Sequence, residues 1–210
     1  FLSYAWMQRK LLSLMNSGDG EKMEALAKDL GPGIPVHVFK TFGTAMLRWQ
    51  DNEVEFVGAR KESYSQHSRN PVVAPGTLVD DQRRRDFTIN TLAIRLNKSG
   101  WGELIDDLGG MEDLQRGLIK TPLEAGITFS DDPLRMMRAI RFATQLGFTI
   151  DTHTLAAIQA HVERIKIISQ ERITEELNKI ILAPTPSVGF KLLFDTGLLK
   201  ICLLYTSDAA

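Results

Sequence analysis

Carboxylates and arginines share one short stretch, residues 130–142, which read Ser-Asp-Asp-Pro-Leu-Arg-Met-Met-Arg-Ala-Ile-Arg-Phe. The stretch predicts a helix with Ser130 as its N-cap, two acidic residues at the positive end of the dipole and a proline in the first turn. At about 100° per residue, Arg135, Arg138 and Arg141 fall within an arc of about 120°, opposite the apolar residues. We therefore predict that one face packs and the other presents guanidinium groups.

Asp132 precedes Arg135 by three residues, so the two side chains can be neighbours on the surface of this helix. A fixed carboxylate beside a fixed guanidinium offers an acceptor and a fork of donors, which complements the edge of a nucleobase. The remaining arginines suit phosphates. An ordinary solvated helix with surface salt bridges is the alternative interpretation.

A second run of charge occupies residues 83–90, Arg-Arg-Arg-Asp-Phe-Thr-Ile-Asn, inside a helix predicted over residues 77–92 with Thr77 as its cap. Consecutive helix residues point in different directions, so at most two of the arginines can share a site. Phosphate or triphosphate binding is the functional interpretation, and a charged, solvated turn is the alternative.

Composition limits the class of protein. The chain has 210 residues, of which 43% are hydrophobic and 24% charged, as in ordinary globular domains, and its net charge of −1 requires any RNA contact to come from clustered residues. The single Cys202 excludes an internal disulfide or a cysteine-based zinc site and favours a reducing compartment, the cytoplasm. No apolar run approaches the ~18 residues of a membrane span, so no membrane is expected as a partner.

The pattern of elements predicts an α+β fold. Mixed helix and strand signals extend to about residue 128, and only helical signals follow, so a domain boundary is expected at residues 128/129. The predicted elements are a helix at 21–30, strands at 34–40, 45–50 and 54–59, a mobile loop at 61–76, a hairpin of 93–94 with 101–105, a tight turn at 107–110, and helices to residue 147 and at 152–164, 169–182 and 187–197.

Four motifs resemble those of one family. They are Arg84-Arg85-Asp86-Phe87-Thr88-Ile89-Asn90, then Asp106-Asp107-Leu108-Gly109-Gly110, then Asp131-Asp132-Pro133-Leu134-Arg135 with Arg138 and Arg141, then Glu171-Arg172-Ile173 with Glu176. Their types and order closely resemble the class II tRNA CCA-adding enzymes and bacterial poly(A) polymerases, in the polymerase β nucleotidyltransferase superfamily. The resemblance implies a nucleotidyltransferase head with a mixed sheet over residues 1–128 and an all-helical, RNA-binding neck over residues 129–200.

The resemblance also implies roles for the nucleotide-binding residues. Asp132 and Arg135 would read the Watson–Crick edge of the incoming CTP or ATP, in place of a nucleic-acid template. The nucleotide pocket would further contain Arg85, Asp86, Asn90, Arg138 and Arg141. Asn90, one turn along from Asp86, is placed to reach the ribose, and an exposed polar position is its alternative interpretation.

The catalytic metals set a limit on this reading. Enzymes of the family resemble other two-metal nucleotidyl transferases, in which Mg²⁺ held by carboxylates activates the RNA 3′ hydroxyl. The family's Asp-x-Asp, Gly-Gly turn and Arg-Asp pair are absent here, and residues 1–16 contain no acidic residue. Glu55 stands where the family supplies a third, catalytic carboxylate, with a solvent-facing strand residue as the alternative, and alone it could not hold a metal pair. The expectation is an N-terminally incomplete, inactive chain.

The chain end and the substrate complete the predictions. Residues 201–210 fit neither the helical periodicity nor the resemblance and are expected to be a non-native tail, and the phosphohydrolase domain that some relatives carry downstream is not expected here. The intact parent would add nucleotides from CTP and ATP to the 3′ end of tRNA as CCA. Poly(A) addition to another RNA 3′ end, or a non-catalytic RNA-binding module, are the alternatives.

Overall fold

The computed structural model describes residues 36–39, 44–49, 52–65 and 68–204. The chain forms two compact units, one of Phe1–Arg60 with Arg95–Glu103 and the other of Lys61–Ile94 with Leu104–Ala210. The helix predicted over residues 21–30 lies outside the described residues.

A three-stranded antiparallel sheet is the main described feature of the first unit. Its strands are β1 (Val36–Phe39), β2 (Thr44–Trp49) and β3 (Asn52–Val57), in the order β1-β2-β3. Trp49 pairs with Asn52, so β2 and β3 are joined by a two-residue connection, as in a tight hairpin. The three predicted strands are confirmed, and each lies within about two residues of its predicted bounds.

The loop predicted over residues 61–76 is wrong. The segment forms β4 (Arg60–Ser65) and β5 (Ser68–Pro75), which pair in a two-stranded sheet. Both strands of such a sheet are edge strands, where proline is tolerated and apolar alternation is not required. Val72 and Val73 of β5 are accordingly exposed. The polar residues and prolines that indicated a loop are equally compatible with this ribbon.

The helix predicted over residues 77–92 is shorter than expected. Helix α1 covers Leu78–Arg83 and begins with the predicted cap, because the Thr77 hydroxyl accepts from the Asp80 amide at 3.2 Å and the Asp80 carboxylate accepts from the Thr77 amide at 2.9 Å. Beyond it, Phe87 is extended and the Thr88 amide donates to the Lys120 carbonyl at 2.9 Å. A donor that would have continued the helix is therefore used in a tertiary contact, and the chain forms a 3₁₀ turn at Thr88–Asn90.

The predicted hairpin and turn are confirmed. Strands β6 (Ala93–Ile94) and β7 (Leu104–Ile105) pair antiparallel. A turn then leads to helix α2 (Gly110–Gln115), and the left-handed Gly109, with φ of +72°, precedes it. The Asp106 carboxylate accepts from the Gly110 amide at 2.6 Å and from the Met111 amide at 3.0 Å, so it satisfies two free donors of the first turn.

Gly110 packs against the 3₁₀ turn so closely that no side chain fits. A Cβ at this position would overlap the carbonyl oxygen of Thr88 and lie 3.2 Å from the Leu92 side chain. We expect Gly110→Ala to lower the free energy of unfolding by about 2 kcal/mol, because backbone rather than a flexible side chain would have to move. Urea unfolding measures the effect, with Gln115→Ala on the exposed face of the same helix as control. Equal stability of the two variants would contradict this packing.

The predicted start of the arginine-bearing helix is wrong by a few residues. Ser130 ends a separate helix, α3 (Ala125–Asp131), which begins with Glu124 as its side-chain cap. The arginine-bearing helix, α4, covers Leu134–Leu146 and ends at Gly147 in the left-handed conformation, as predicted. Proline disfavours a helical conformation at the residue before it, and Asp132 is extended, so the two helices are separated at Pro133.

The remaining elements follow in short order. They are β8 (Leu118–Ile119), β9 (Thr149–Ile150), α5 (Thr152–His161), a 3₁₀ helix (Val162–Ile167), α6 (Gln170–Ile181), α7 (Pro186–Asp195) and α8 (Leu198–Leu204). The fold is α+β as predicted, but the neck is not wholly helical, because β9 pairs parallel with β8. The boundary at residues 128/129 stays a prediction.

The chain from residue 201 was expected to lack structure of its own, and the described part does not behave so. Helix α8 continues through Leu204, and Cys202 is buried. Burial raises the pKa of the Cys202 thiol to about 11. Residues 205–210 lie outside the described part of the chain.

The core of the second unit surrounds helix α4, which packs against α6 and α7. The predicted apolar face of α4 is confirmed, since Met136, Met137 and Ile140 are fully buried. They meet Ile180 of α6 and Leu193 of α7 in one cluster. In the part of the chain that the structure describes, no helix is long and apolar enough to cross a membrane.

Candidate nucleotide-binding site

Asp86 is the centre of the charged cluster. One of its oxygens, Oδ1, accepts from the Phe87 amide and from Asn90 Nδ2, both at 2.9 Å. The other, Oδ2, lies 2.7 Å from Arg138 Nε and 2.6 Å from Arg138 Nη2. The carboxylate is buried, and these partners satisfy it. The structure thus brings together three of the predicted nucleotide-binding residues, Asp86, Asn90 and Arg138.

Asp81 holds two arginines of the 83–85 run. Its Oδ1 pairs with the guanidinium of Arg84, and its Oδ2 lies 3.0 Å from Arg85 Nη2. Burial opposes ionisation of Asp81, but the hydrogen bonds from Arg84 and Arg85 outweigh it and hold the pKa of that carboxyl below its ordinary value. We did not predict this role for Asp81, although its spacing of three and four residues from the arginines was the available signal.

The ionisation of Asp81 makes part of the stability depend on pH. A depressed pKa stabilises the fold at pH values above the ordinary 3.8, and this contribution is lost as the pH falls through the lower pKa of the folded state. We expect wild type to be about 2 kcal/mol more stable than Asp81→Asn near pH 6, and the difference to shrink steadily below pH 4. Urea unfolding of both proteins between pH 3 and pH 7 measures it. A difference that does not change with pH would contradict the ion pairs.

Arg84 connects this segment to helix α4. Its Nη1 lies 3.2 Å from Glu62 Oε1, and its carbonyl oxygen accepts from Arg135 Nη2 at 2.7 Å. Arg85 instead donates to the Asn90 carbonyl at 3.0 Å, and its side chain is 46% exposed. Arg85 is therefore the more accessible of the two guanidinium groups that Asp81 holds.

Asp132 and Arg135 do not form the surface pair that the spacing predicted. The Asp132 carboxylate accepts from the Leu134 amide at 3.2 Å, and the guanidinium of Arg135 donates to the carbonyls of Arg84 and Thr128. No hydrogen bond or ion pair joins the two side chains within the described residues. The physical reason is the break at Pro133, since Asp132 lies before helix α4 rather than on its surface.

The arginine-bearing face of α4 is covered rather than presented to solvent. Arg135 is buried, Arg138 pairs with Asp86, and Arg141 Nε lies 2.7 Å from Glu176 Oε2 of α6. The predicted open row of guanidinium groups is therefore wrong, because each arginine has a carboxylate or carbonyl partner from a different segment. Sequence reasoning noted Glu176 within a motif but assigned it no role.

Arg141 is held on the side of α4 that faces α6. Glu176 is buried and accepts from Lys179 Nζ at 3.1 Å as well as pairing with Arg141. Burial lowers the pKa of Arg141, while the nearby Glu176 acts in the opposite direction. Of the described carboxylates, only Glu176 forms an ion pair with Arg141.

An aromatic pair positions the two charged segments. The rings of Phe87 and Phe142 meet edge to face, with centroids 5.8 Å apart. The guanidinium carbons of Arg138 and Arg141 lie 5.4 Å and 4.1 Å from the centroid of Phe142. Cation–π attraction and ring packing therefore fix the segment that carries Asp86 against helix α4.

Glu55 lies apart from this cluster in the chain's organisation, in strand β3 of the first unit. It is exposed, and its Cα pairs with that of Met46 in the sheet. The described residues contain no group of three His, Cys, Asp or Glu side chains that could hold a metal ion. A catalytic role for Glu55 stays a prediction.

Two family models match the chain. The model of the "Poly A polymerase head domain" matches residues 13–120, about half of the chain, and that of the "probable RNA and SrmB-binding site of polymerase A" matches residues 147–209. The fold and these matches define the chain as an RNA nucleotidyltransferase by class. It belongs to the family of class II CCA-adding enzymes and poly(A) polymerases.

Individual relatives agree with this assignment. The chain is 43% identical over 162 residues to the CCA-adding enzyme of Limosilactobacillus reuteri, covering 76% of this chain and 39% of that protein. It is 38% identical over 175 residues to the mitochondrial CCA tRNA nucleotidyltransferase of Saccharomyces cerevisiae, covering 81% and 32%. The chain therefore spans roughly a third of the length of these relatives.

A solved structure shares the fold. It is a tRNA nucleotidyltransferase complexed with a primer tRNA and an incoming ATP analog, with a TM-score of 0.73 and 29% sequence identity. The similarity covers 89% of this chain and 52% of that one.

Proposed function

We propose that the intact protein adds the CCA sequence to the 3′ end of tRNA, using CTP and ATP. Family membership supports the reaction class, and the two relatives described above are both CCA-adding by name. The solved structure with a primer tRNA and an ATP analog supports tRNA as the acceptor and a nucleoside triphosphate as the donor.

One observation carries this proposal: two guanidinium groups of α4 are fixed beside Asp132. Arg138 is fixed by Asp86, and Arg135 by the carbonyl of Arg84 at 2.7 Å. Asp132 uses one carboxylate oxygen to accept from a backbone amide, and its other oxygen has no hydrogen-bond partner among the described residues. An acceptor and immobilised donors are therefore available before any nucleotide binds.

This pair of groups suits cytosine and adenine. Each presents an exocyclic amino donor next to a ring-nitrogen acceptor on its pairing edge, whereas guanine and uracil present a carbonyl next to an N–H. The free oxygen of Asp132 would accept from the amino group, and the remaining N–H groups of Arg135 would donate to the ring nitrogen. A good bidentate contact contributes about 1–3 kcal/mol of discrimination against the wrong base.

The rest of the nucleotide would lie toward Arg85 and Asn90. Arg85 is about half-exposed and keeps N–H donors in reach of a phosphate, and the side chain of Asn90 is fixed by Asp86 next to it. Arg141, held by Glu176, would act by fixing α4 rather than by meeting a phosphate directly.

Magnesium chemistry belongs to the intact parent in this proposal. Glu55 is a single exposed carboxylate, and the described residues provide no further groups for a metal pair. We derive no step through the metal from this chain. The proposal for the 210-residue chain itself is nucleotide binding without transfer, supported by the absence of Asp-x-Asp from its sequence.

The experiment uses tRNA that lacks its terminal CCA, together with CTP, ATP and Mg²⁺. The full-length parent and the 210-residue chain are incubated separately, and the product ends are sequenced. We expect CCA ends from the parent and no extension by the chain. Extension by the chain would overturn the proposed inactivity, and long adenosine tails from the parent would indicate a poly(A) polymerase instead.

A non-catalytic RNA-binding module is the second candidate, favoured by the match of residues 147–209 to an RNA-binding family model. Contacts to backbone phosphates alone would weaken steeply with salt and would not distinguish bases. Binding of the four nucleoside triphosphates with equal affinity, together with salt-dependent RNA binding, would favour this candidate.

The cytoplasmic location is likewise a proposal. The single cysteine in the sequence supports a reducing compartment. The yeast relative is named as mitochondrial, so location differs among the relatives of this chain.

A further inference from the structure

The last turn of helix α3 leads directly to Asp132. The final carbonyl groups of a helix have no partner within it and carry partial negative charge, so cations stabilise them. Arg164, in the 3₁₀ helix Val162–Ile167, supplies such a cation. Its Nη2 donates to the carbonyl of Ser130 at 2.7 Å, two residues before Asp132.

A second guanidinium group contacts the same turn. Arg135 Nη1 donates to the carbonyl of Thr128 at 3.4 Å, and the Asp132 amide donates to the same oxygen at 3.4 Å. The position of this turn therefore affects both residues of the proposed base-reading pair. Arg164 is the contact to it from outside helices α3 and α4.

Electrostatics point in the same direction. Burial raises the pKa of Asp131, the last residue of α3, and the charges of Arg135 and Arg164 oppose that effect. Arg164 Nε is buried without a hydrogen-bond partner among the described residues. An unsatisfied buried donor is unfavourable, so the fold places the Arg164 guanidinium here at a cost to stability.

We propose that Arg164 is a positioning residue for base selection, which fixes the end of α3 and thereby the carboxylate of Asp132 and the guanidinium of Arg135. This role rests on the proposed function. Arg164 need not touch the nucleotide. Its loss would loosen the groups that recognise the base and leave the groups proposed for the phosphates in place.

The test compares the affinities of the 210-residue chain for CTP, UTP and inorganic tripolyphosphate by calorimetry. We expect wild type to bind CTP about tenfold more tightly than UTP. Arg164→Met keeps the apolar stem of the side chain and removes the guanidinium. It should reduce the ratio to below about threefold without changing the affinity for tripolyphosphate, and Arg164→Lys, which keeps a charge but not the planar fork, should give an intermediate ratio.

Lys166→Ala is the matched control, because Lys166 is an exposed cation of the same 3₁₀ helix that pairs with Glu163. It should keep the wild-type ratio. A wild-type ratio in Arg164→Met would overturn the role of Arg164 alone, whereas a wild type that binds CTP and UTP equally would overturn the proposed base reading as well. If Arg164→Met does not fold, Arg164→Lys decides, since an unchanged ratio in that variant would also overturn the role.

Discussion

Replacement of Asp86 by alanine is expected to destabilise the fold by about 3 kcal/mol and to abolish nucleotide binding. The carboxylate is buried and accepts from Arg138, Asn90 and the Phe87 amide, so its loss leaves these donors without their partner. The estimate is at the low end for a broken buried pair because the Arg138 side chain is 34% exposed and can be hydrated. Urea unfolding and ATP titration measure the two effects.

Asp195→Ala is the control for this variant, since Asp195 is an exposed aspartate at the end of α7. It should match wild type in both measurements. Asp86→Asn separates the two effects, because an amide can still accept from Asn90 and Phe87 but does not carry the charge that pairs with Arg138. An Asp86→Ala protein with wild-type stability would contradict the central place of this carboxylate.

Replacement of Glu176 by leucine should have an effect on stability at least as large, about 3–5 kcal/mol, because it leaves Arg141 uncompensated. Glu176 is buried, and the Arg141 side chain is only 12% exposed. Water therefore cannot replace the lost carboxylate. Chemical denaturation measures the loss, with Glu175→Leu, an exposed neighbour on α6, as control.

A double-mutant cycle separates the ion pair from packing. If the penalty is that of an unpaired charge, Arg141→Met should recover much of the stability lost in Glu176→Leu, because apolar pairs of similar volume often replace buried ion pairs without loss. Additive effects of the two substitutions would show that the 2.7 Å contact between these side chains contributes little coupling energy.

Local features of the fold were predictable from sequence. Thr77 caps a helix because its hydroxyl and Asp80 satisfy each other's neighbouring amides, and Gly147 ends one because it adopts a left-handed conformation at little cost. The apolar face of α4 was predictable from its 3.6-residue period. Each of these depends on interactions within a few residues.

The errors have a common physical origin in contacts between distant segments. The helix from Leu78 ends early because the Thr88 amide pairs with the Lys120 carbonyl, 32 residues away in the strand-side segment. Arg135 is buried because it donates to the Arg84 carbonyl, 51 residues earlier. Helical spacing placed Arg135 and Asp132 on one surface, but it contains no information about which segment covers that surface.

The motifs indicated the members of the site better than their mutual contacts. Asp86, Asn90 and Arg138 were predicted for one pocket, and the structure places them together. The carboxylates that hold the arginines, Asp81 and Glu176, were not predicted as partners, because each pairs with more than one cation and Glu176 belongs to a different helix.

The central claim is that side chains at the start of helix α4 select the base of the incoming nucleotide. The most direct test is titration of the 210-residue chain and of Arg135→Ala with each of CTP, ATP, GTP and UTP. We predict that wild type binds CTP and ATP about tenfold more tightly than GTP and UTP, and that Arg135→Ala binds all four with similar, weaker affinity. Equal affinity for ATP in Arg135→Ala and wild type would contradict the claim.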